Sequence, residues 1–220
     1  MIAVVGGAGY IGSHTVKYLI ELGEQVVVFD NLSTGHRECV PVELQFVKGD
    51  LASFENLHNF FAQYPNIHTV IHFAAYAYVG ESVVEPAKYY RNNLVNTVNL
   101  LDAMLAHNVK NIVFSSTCAT YGNPIFLPIT EAHPQKPINP YGRTKLMMEQ
   151  LMDDYSVAYG FNYAALRYFN AAGASEDSSI GEWHEPESHL IPLVLDVALE
   201  KSNSINVFGS DFDTPDGTCV

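Results

Sequence analysis

The chain has 220 residues, 48% of them hydrophobic and only 16% charged, enough apolar material to bury one sizeable domain or one domain with a small appendage. Its formal net charge of -13 excludes a general nucleic-acid or anionic-membrane surface, which needs clustered Lys and Arg, but not a small anionic ligand held at one helix N-terminus. Three cysteines, Cys39, Cys118 and Cys219, lie far apart without a C-x-x-C pair, so neither a zinc site nor a disulfide framework is expected and reduced thiols of a cytoplasmic protein are.

In chain order, the apolar run Met1 to Val5 predicts a first strand. No Lys or Arg precedes Lys17, so this start lacks the basic region of a signal peptide. Ile11, Thr15, Tyr18, Leu19 and Leu22 then share one helical face that stops at Gly23. "QVVVFD" (25–30), "LQFVKGD" (44–50), "TVIHFAA" (69–75), "NIVFSS" (111–116) and "NYAALRYFN" (162–170) predict further strands, continuous enough in apolar character to be buried on both faces. Between them, Leu94, Val98, Leu101 and Leu105 mark a helix from near Pro86, and Met148, Met152, Tyr155 and Tyr159 one from Tyr141 to Gly160. Strands alternating with helices predict an α/β fold, a doubly wound parallel sheet. From about Ala171 a loop rich in Gly, Ser and Glu leads to one helix, "INVFG" (205–209) and a turn-rich tail. This gives an expected domain at residues 1–170 and the beginning of a smaller one at 171–220. The apolar run Leu190 to Leu199 is too short to span a bilayer and contains Asp196, so no membrane partner is expected.

The first strand runs into "GGAGYIGSHT", a G-x-x-G-x-x-G set at Gly6, Gly9 and Gly12 that opens the first helix. In a strand–turn–helix setting Gly6 permits the tight turn, Gly9 lets a pyrophosphate approach the backbone, and Gly12 lets helix and sheet pack closely. The helix N-terminus adds free N–H groups and positive partial charge. This is the dinucleotide-binding pattern of Rossmann domains. Asp30, ending the second strand, is the expected acceptor for the adenosine ribose hydroxyls. It favours NAD over NADP, since like charges about 4 Å apart cost about 4 kcal/mol at an effective dielectric of about 20; Arg37, nearby in sequence, argues the other way. Asp50 and Leu51 are placed to hold the adenine, with Asp50 as the N-cap of the next helix the alternative.

The reactive groups lie in "SSTCATYG" (115–122) and "NPYGRTKLM" (139–147). Tyr141 and Lys145, four apart at a helix start, share one face, so the ammonium can reach toward the phenol. Lowering a tyrosine from about 10 to about 7 takes on the order of 4 kcal/mol, within reach of a nearby Lys together with a positive nicotinamide ring. Tyr141 is then a usable base, and Thr117 can hydrogen-bond the same reacting oxygen. A tyrosine merely packing after Pro140 is the bland alternative.

Taken together, "GGAGYIGSHT", "VVVFDNLSTG", "VIHFAAYAYVGESV", "YYRNNLVNT", "SSTCATYG", "NPYGRTKLMME", "LRYFNAAGA", "HLIP" and "DGTCV" resemble the UDP-glucose 4-epimerases of the extended short-chain dehydrogenase/reductase family. The resemblance implies a C4 epimerisation of a UDP-hexose, in which Tyr141 takes the 4-hydroxyl proton while C4 gives hydride to NAD and Lys145 binds the nicotinamide ribose and lowers the Tyr141 pKa. It implies that Tyr10 and Ile11 cover the pyrophosphate, that Asn31 assists Asp30, and that Phe73, Ala74, Ala75, Asn92 and Tyr168 line the cofactor. Asn170, His189, Leu190, Asn206 and Phe208 would contact the nucleotide sugar. Core packing remains open for Phe73 and Tyr168, a polar helix position for Asn92 and a packed strand residue for Phe208. The resemblance further implies a homodimer built on the helices starting near Pro86 and Pro140. It also implies truncation at the C-terminus, because these enzymes continue past "DGTCV".

The residues also bear on two other chemistries and on a non-catalytic role. "EWHEPESH" (182–189) offers two histidines and three glutamates, but its irregular spacing, Pro186 and the lack of cysteines argue against a metal, and none is expected. Nucleotide-sugar 4,6-dehydration needs an added acid and base; proteins that resemble such dehydratases carry Asp and Glu directly after the threonine matched by Thr117, where Cys118 and Ala119 stand here. A non-catalytic dinucleotide sensor would keep the glycines but has no need of Tyr141 with Lys145.

Overall fold

The computed structural model describes residues 1–218, so Cys219 and the end of "DGTCV" lie outside the described residues. The chain divides into two compact units, Met1–Gly181 and Glu182–Val220. Residues 171–181, expected with the second domain, group with the first: the Tyr10 hydroxyl donates to Gly173 O at 2.7 Å and Lys17 pairs with Asp177 at 2.8 Å.

The first unit is a six-stranded, wholly parallel sheet of β1 (Ile2–Val5), β2 (Val26–Asp30), β3 (Gln45–Lys48), β4 (Thr69–His72), β5 (Asn111–Thr117) and β6 (Asn162–Tyr168), in the order β3-β2-β1-β4-β5-β6. Helices α1 (Tyr10–Glu21), α2 (Phe54–Gln63), α3 (Val79–Val84), α4 (Pro86–Tyr89), α5 (Asn96–Ala106) and α6 (Pro140–Tyr159) make the crossovers. Because β1 lies between β2 and β4, the chain turns back across the sheet at β1. Ligands of such sheets bind beyond the carboxyl ends of the strands at this switch point.

Alternate residues of β1 and β2 feed two cores. Ala3, Val5, Val27 and Phe29 join Leu57, Phe60, Leu100, Met104 and Met148 on one face, while Val4, Val26 and Val28 join Val16 on the other. Burial on both faces explains the unbroken apolar runs of the central strands. The edge strands β3 and β6 depart from that expectation: their ends or alternate residues are exposed, because one side of each has no neighbouring strand.

The helix expected from Pro86 is a composite path. α4 runs into a π-helical stretch, Tyr90–Val95, and then into α5. The π turn adds a residue to the helical repeat, which rotates Asn92 and Asn93 relative to a regular helix. Strand β4 ends at His72 rather than reaching Ala75. Phe73 and Ala74 leave it by donating their amides to Val5 O at 2.8 and 3.2 Å, which holds the loop over the glycine turn.

In the second unit, α7 (Leu190–Ala198) is the only regular element among the described residues. The segment 205–209 is not a strand, which corrects the packed-strand alternative for Phe208; that side chain is 93% exposed.

Candidate active site

The turn between β1 and α1 is built by three glycines with different duties. Gly6 has φ of +80°, a left-handed backbone that favours glycine, and an added Cβ would meet Ala74 N at 2.5 Å. At Gly12 a Cβ would lie 2.2 Å from Gly6 O, so the helix can start here only without a side chain. Gly9 is different: its φ is -78°, and a Cβ there would meet nothing nearer than Gly6 O at 3.5 Å. The fold itself leaves the approach to Gly9 open. Helix α1 has no acidic residue in its first turn and no side-chain cap on its N-terminus, so its first amides face that approach with positive partial charge.

Asp30, 8% exposed, closes the same turn from β2: one carboxylate oxygen accepts from Ala8 N at 3.0 Å and the other from Leu32 N at 2.8 Å. Burial pushes its carboxyl up, and the two amides hold it back. Asn31 donates to Asp50 at 3.1 Å, tying the end of β2 to the loop after β3. Asp50 accepts from Ala52 N at 2.8 Å and does not cap α2; Ser53 does, by accepting from Asn56 N. Leu51 is buried. Arg37 is engaged elsewhere, donating to Val40 O at 2.6 Å and lying 4.8 Å over the Phe46 ring, so the argument it offered for a 2′-phosphate loses force. Tyr10, Ile11, Phe73, Ala74, Ala75 and Asn92 are half-buried near this end of the sheet, and Asn92 donates to Asn93 at 3.0 Å.

The second half of the site is where α6 meets the end of β5. Asn139 caps α6 by accepting from Gly142 N at 2.8 Å, and Pro140 fills the first turn. A Cβ at Gly142 would lie 2.6 Å from Ala119 O, so this glycine lets the helix start press on the turn after Thr117. Tyr141 is thereby hydrogen-bonded to the Thr117 hydroxyl. One turn on, Lys145 is 2% exposed and donates to Ser115 O at 2.7 Å, with its ammonium 4.9 Å over the Phe114 ring and 5.9 Å from the Tyr141 ring. Tyr168, half-buried, pairs in register with Thr117 across β5 and β6, and burial raises its phenol.

The electrostatics differ from the sequence expectation. Burial pushes the Lys145 ammonium down to about 7. Burial also pushes the Tyr141 phenol up, opposed by the Thr117 hydrogen bond and reinforced by Cys118. Burial thus works against the lowering expected of Tyr141 from Lys145 together with a positive nicotinamide ring.

Asn93, Glu149 and Arg167, which no sequence pattern singles out, support this site. Asn93, fully buried, accepts from Tyr76 N at 2.9 Å and donates to Tyr76 O at 3.0 Å and to Thr144 at 3.3 Å, fastening the loop after β4 to α6. Buried Glu149 pairs with half-buried Arg167 behind β5, with Ser116 donating to the same carboxylate. His72 meets Thr97 at 3.0 Å, a strand-end hydrogen bond.

Asn170 is exposed at the end of the first unit's last strand region. In the second unit, His189, Leu190, Asn206 and Phe208 are all exposed, and His189 sits at the N-cap of α7. No helix of the described residues is long and apolar enough to cross a membrane.

Residues 2–219 match the model of the NAD dependent epimerase/dehydratase family. The chain is 53% identical over 219 residues to the UDP-glucose 4-epimerase of Halalkalibacterium halodurans, covering 100% of this chain and 65% of that one. It is 54% identical over 220 residues to that of Streptococcus mutans, covering 66% of it. Among solved structures it is similar to UDP-glucose 4-epimerase from Brucella ovis in complex with NAD, with a TM-score of 0.94 and 54% identity over 99% of this chain and 66% of that chain. The corresponding enzyme from Bifidobacterium longum in complex with NAD+ and UDP gives 0.94 and 40% identity over 99% of this chain and 68% of that chain. The chain thus spans about two thirds of the length of the relatives it matches.

Proposed function

The chain belongs to the NAD dependent epimerase/dehydratase family, and on that premise we propose that it binds NAD and serves the C4 epimerisation of a UDP-hexose, UDP-galactose to UDP-glucose. One observation carries the reading: Thr117, Tyr141 and Lys145 converge at the carboxyl end of β5, on the same side of the sheet as the glycine turn. The similarity to UDP-glucose 4-epimerases over the whole chain supports the choice of substrate.

The residues present fit the dinucleotide. The open approach at Gly9 admits a diphosphate to the α1 amides, and Gly6, Tyr10, Ile11 and Gly12 shape that turn. Asp30 with Asn31 takes the adenosine ribose, and Asp50 and Leu51 take the adenine. Phe73, Ala74, Ala75, Asn92 and Tyr168 line the rest. When bound, NAD supplies a hydride acceptor that also returns the hydride. Tyr141 removes the proton of the sugar 4-hydroxyl as the C4–H bond is broken, giving a 4-keto sugar, and returns that proton after the sugar has turned its other face. Thr117 orients the hydroxyl. Lys145 holds the nicotinamide ribose, and the charge that lowers the Tyr141 phenol comes from the positive ring together with a protonated Lys145. No carboxylate follows Thr117, which disfavours dehydration.

Asn170, His189, Leu190, Asn206 and Phe208 are assigned to the nucleotide sugar, with residues 171–220 as part of its binding domain. A homodimer through the helices from Pro86 and Pro140 is supported by the exposed apolar side chains Val95, Met147 and Val157. The free thiols of Cys39 and Cys118 support a cytoplasmic setting.

The test is a proton NMR time course of UDP-galactose with the purified chain and NAD, with Tyr141→Phe alongside. Appearance of UDP-glucose, slowed in the variant, supports the proposal. NAD binding without turnover, in a chain extended to the length of its relatives as well, overturns the epimerase reading and leaves a dinucleotide-binding protein.

A further inference from the structure

The segment that the spacing argument set aside is brought together by the fold. "EWHEPESH" contains Glu-x-His twice, Glu182-Trp183-His184 and Glu187-Ser188-His189, joined by Glu185 and Pro186, where the backbone bends. Residues two apart in extended backbone point the same way, so each pair presents a carboxylate and an imidazole together, and the bend folds one pair over the other. Nδ1 of His189 lies 3.1 Å from a Glu182 oxygen and 2.7 Å from a Glu187 oxygen. Nδ1 of His184 lies 3.5 Å from the same Glu182 oxygen and 3.6 Å from the second Glu187 oxygen. The ligand atoms of all four residues fall within 4.8 Å of one another.

We propose that Glu182, His184, Glu187 and His189 form a binding site for a first-row divalent cation, zinc being the best fit. A tetrahedral zinc with bonds of about 2.0–2.1 Å has edges of about 3.3–3.4 Å between ligand atoms. With one oxygen taken from each carboxylate, His189 Nδ1 and His184 Nδ1 lie 3.1 and 3.5 Å from the shared Glu182 oxygen, on either side of that value, and the four ligand atoms stay within 4.8 Å of one another, while the 2.7 Å contact of His189 with Glu187 is a hydrogen bond. The charge balance points the same way. The carboxylates keep only 10% and 17% of their side chains exposed, and among the described residues their ion pairs are with these two histidines and with no Lys or Arg. Half-buried carboxylates call for a positive partner. Two protonated imidazoles with ring centroids 4.6 Å apart repel one another, whereas one divalent ion satisfies both carboxylates and takes both rings as neutral ligands. An outer shell is already present, since the amides of Ser188 and His189 donate to Glu187 at 2.8 Å each.

The ion would act as a clip. His189 is the N-cap of α7 and makes no side-chain capping bond, and no residue of α7 is buried. A metal on His189 Nδ1 therefore anchors an element that has little packing of its own. The metal takes His189 Nδ1 and leaves its Nε2 for the nucleotide sugar, and the role is independent of the proposed chemistry at Tyr141.

The purified chain, freed of metal by chelator, is titrated with cobalt(II) as a spectroscopic stand-in and then with zinc, and bound metal is counted after desalting. The expected result is one zinc per chain, with cobalt giving the intense visible bands of a tetrahedral site that zinc abolishes. His184→Ala and Glu187→Gln, neither assigned to catalysis or substrate, should each weaken zinc by at least about tenfold, while His68→Ala should not. The wild-type titration needs no variant to fold, so it decides alone if the variants do not. Substoichiometric metal on the wild type, or equal uptake by the His184→Ala/Glu187→Gln double variant, overturns the proposal.

Discussion

The ammonium of Lys145 donates to Ser115 O at 2.7 Å while only 2% exposed, and among the described residues no carboxylate forms an ion pair with it. Burial holds its pKa near 7, against 10.5 for the free side chain. The unfolded chain thus binds one more proton than the folded one between those two values, so stability gained through this group rises with pH across that window. Lys145→Met should be more stable than the wild type at and below neutral pH, by an amount on the order of a few kcal/mol. The gap should close as pH climbs toward about 10. Urea unfolding of both proteins over this range decides it; parallel curves would mean that the charge is not buried in the folded chain.

The glycine turn separates fold from ligand. Gly12→Ala sets a Cβ 2.2 Å from Gly6 O and should cost about 2 kcal/mol or more of stability. Gly9→Ala meets its nearest atom at 3.5 Å and keeps an ordinary φ, so it should cost at most about 1 kcal/mol, mainly as an N-cap change. NAD affinity should nevertheless fall by about tenfold or more in Gly9→Ala, or about 1.4 kcal/mol. Thermal unfolding with calorimetric NAD titration checks both. Unchanged NAD affinity in Gly9→Ala would remove the diphosphate from this turn.

Much of this architecture was readable from the chain because central parallel strands and their turns are governed by local patterns. The runs at Val26–Asp30 and Asn111–Thr117 are apolar because both faces are covered, and a glycine set after such a strand has few other uses. What was not readable depends on distant partners. Asn93 looks like any polar helix residue until the π turn sends it to Tyr76 and Thr144. The pairing of Glu149 with Arg167 across α6 and β6 has no sequence signature. Nor does the spacing of Tyr141 and Lys145 show that burial pushes the phenol up and the ammonium down. Glu182 and His189 meet only because the backbone bends between them.

Tyr141→Phe removes a hydroxyl whose hydrogen-bond partner is Thr117 and little else of the packing. Turnover should fall by about 10²–10⁴-fold, the range for a lost general base, with NAD affinity and thermal stability close to wild type. Thr117→Ala keeps the base and should lose less. A Tyr141→Phe enzyme that retains turnover within a few-fold would move the base elsewhere, and a variant that loses NAD as well would make the tyrosine structural.

Glu149 is the centre of a buried network: Arg167 donates through Nε and Nη2 at 3.0 and 2.8 Å, Gln135 at 2.9 Å, and Ser116 to the same carboxylate. Burial raises the Glu149 carboxyl, but the bonds from Arg167, Ser116 and Gln135 outweigh it and hold the group below its ordinary 4.5. A depressed folded pKa gives stability that is present above that value and is lost as pH falls through it. Glu149→Gln should therefore flatten the acid limb of the stability profile. Arg167→Met leaves the carboxylate buried without its cation and should cost about 2–3 kcal/mol at neutral pH, less than a wholly buried pair because Arg167 keeps 21% of its side chain exposed. Adding Glu149→Leu to it should restore much of that loss, since two apolar side chains leave no charge to desolvate. Chemical denaturation of the two single variants and the double variant measures the coupling. Strictly additive losses would mean that the two side chains act independently, and the end of β5 would then owe its placement beside Tyr141 to packing alone.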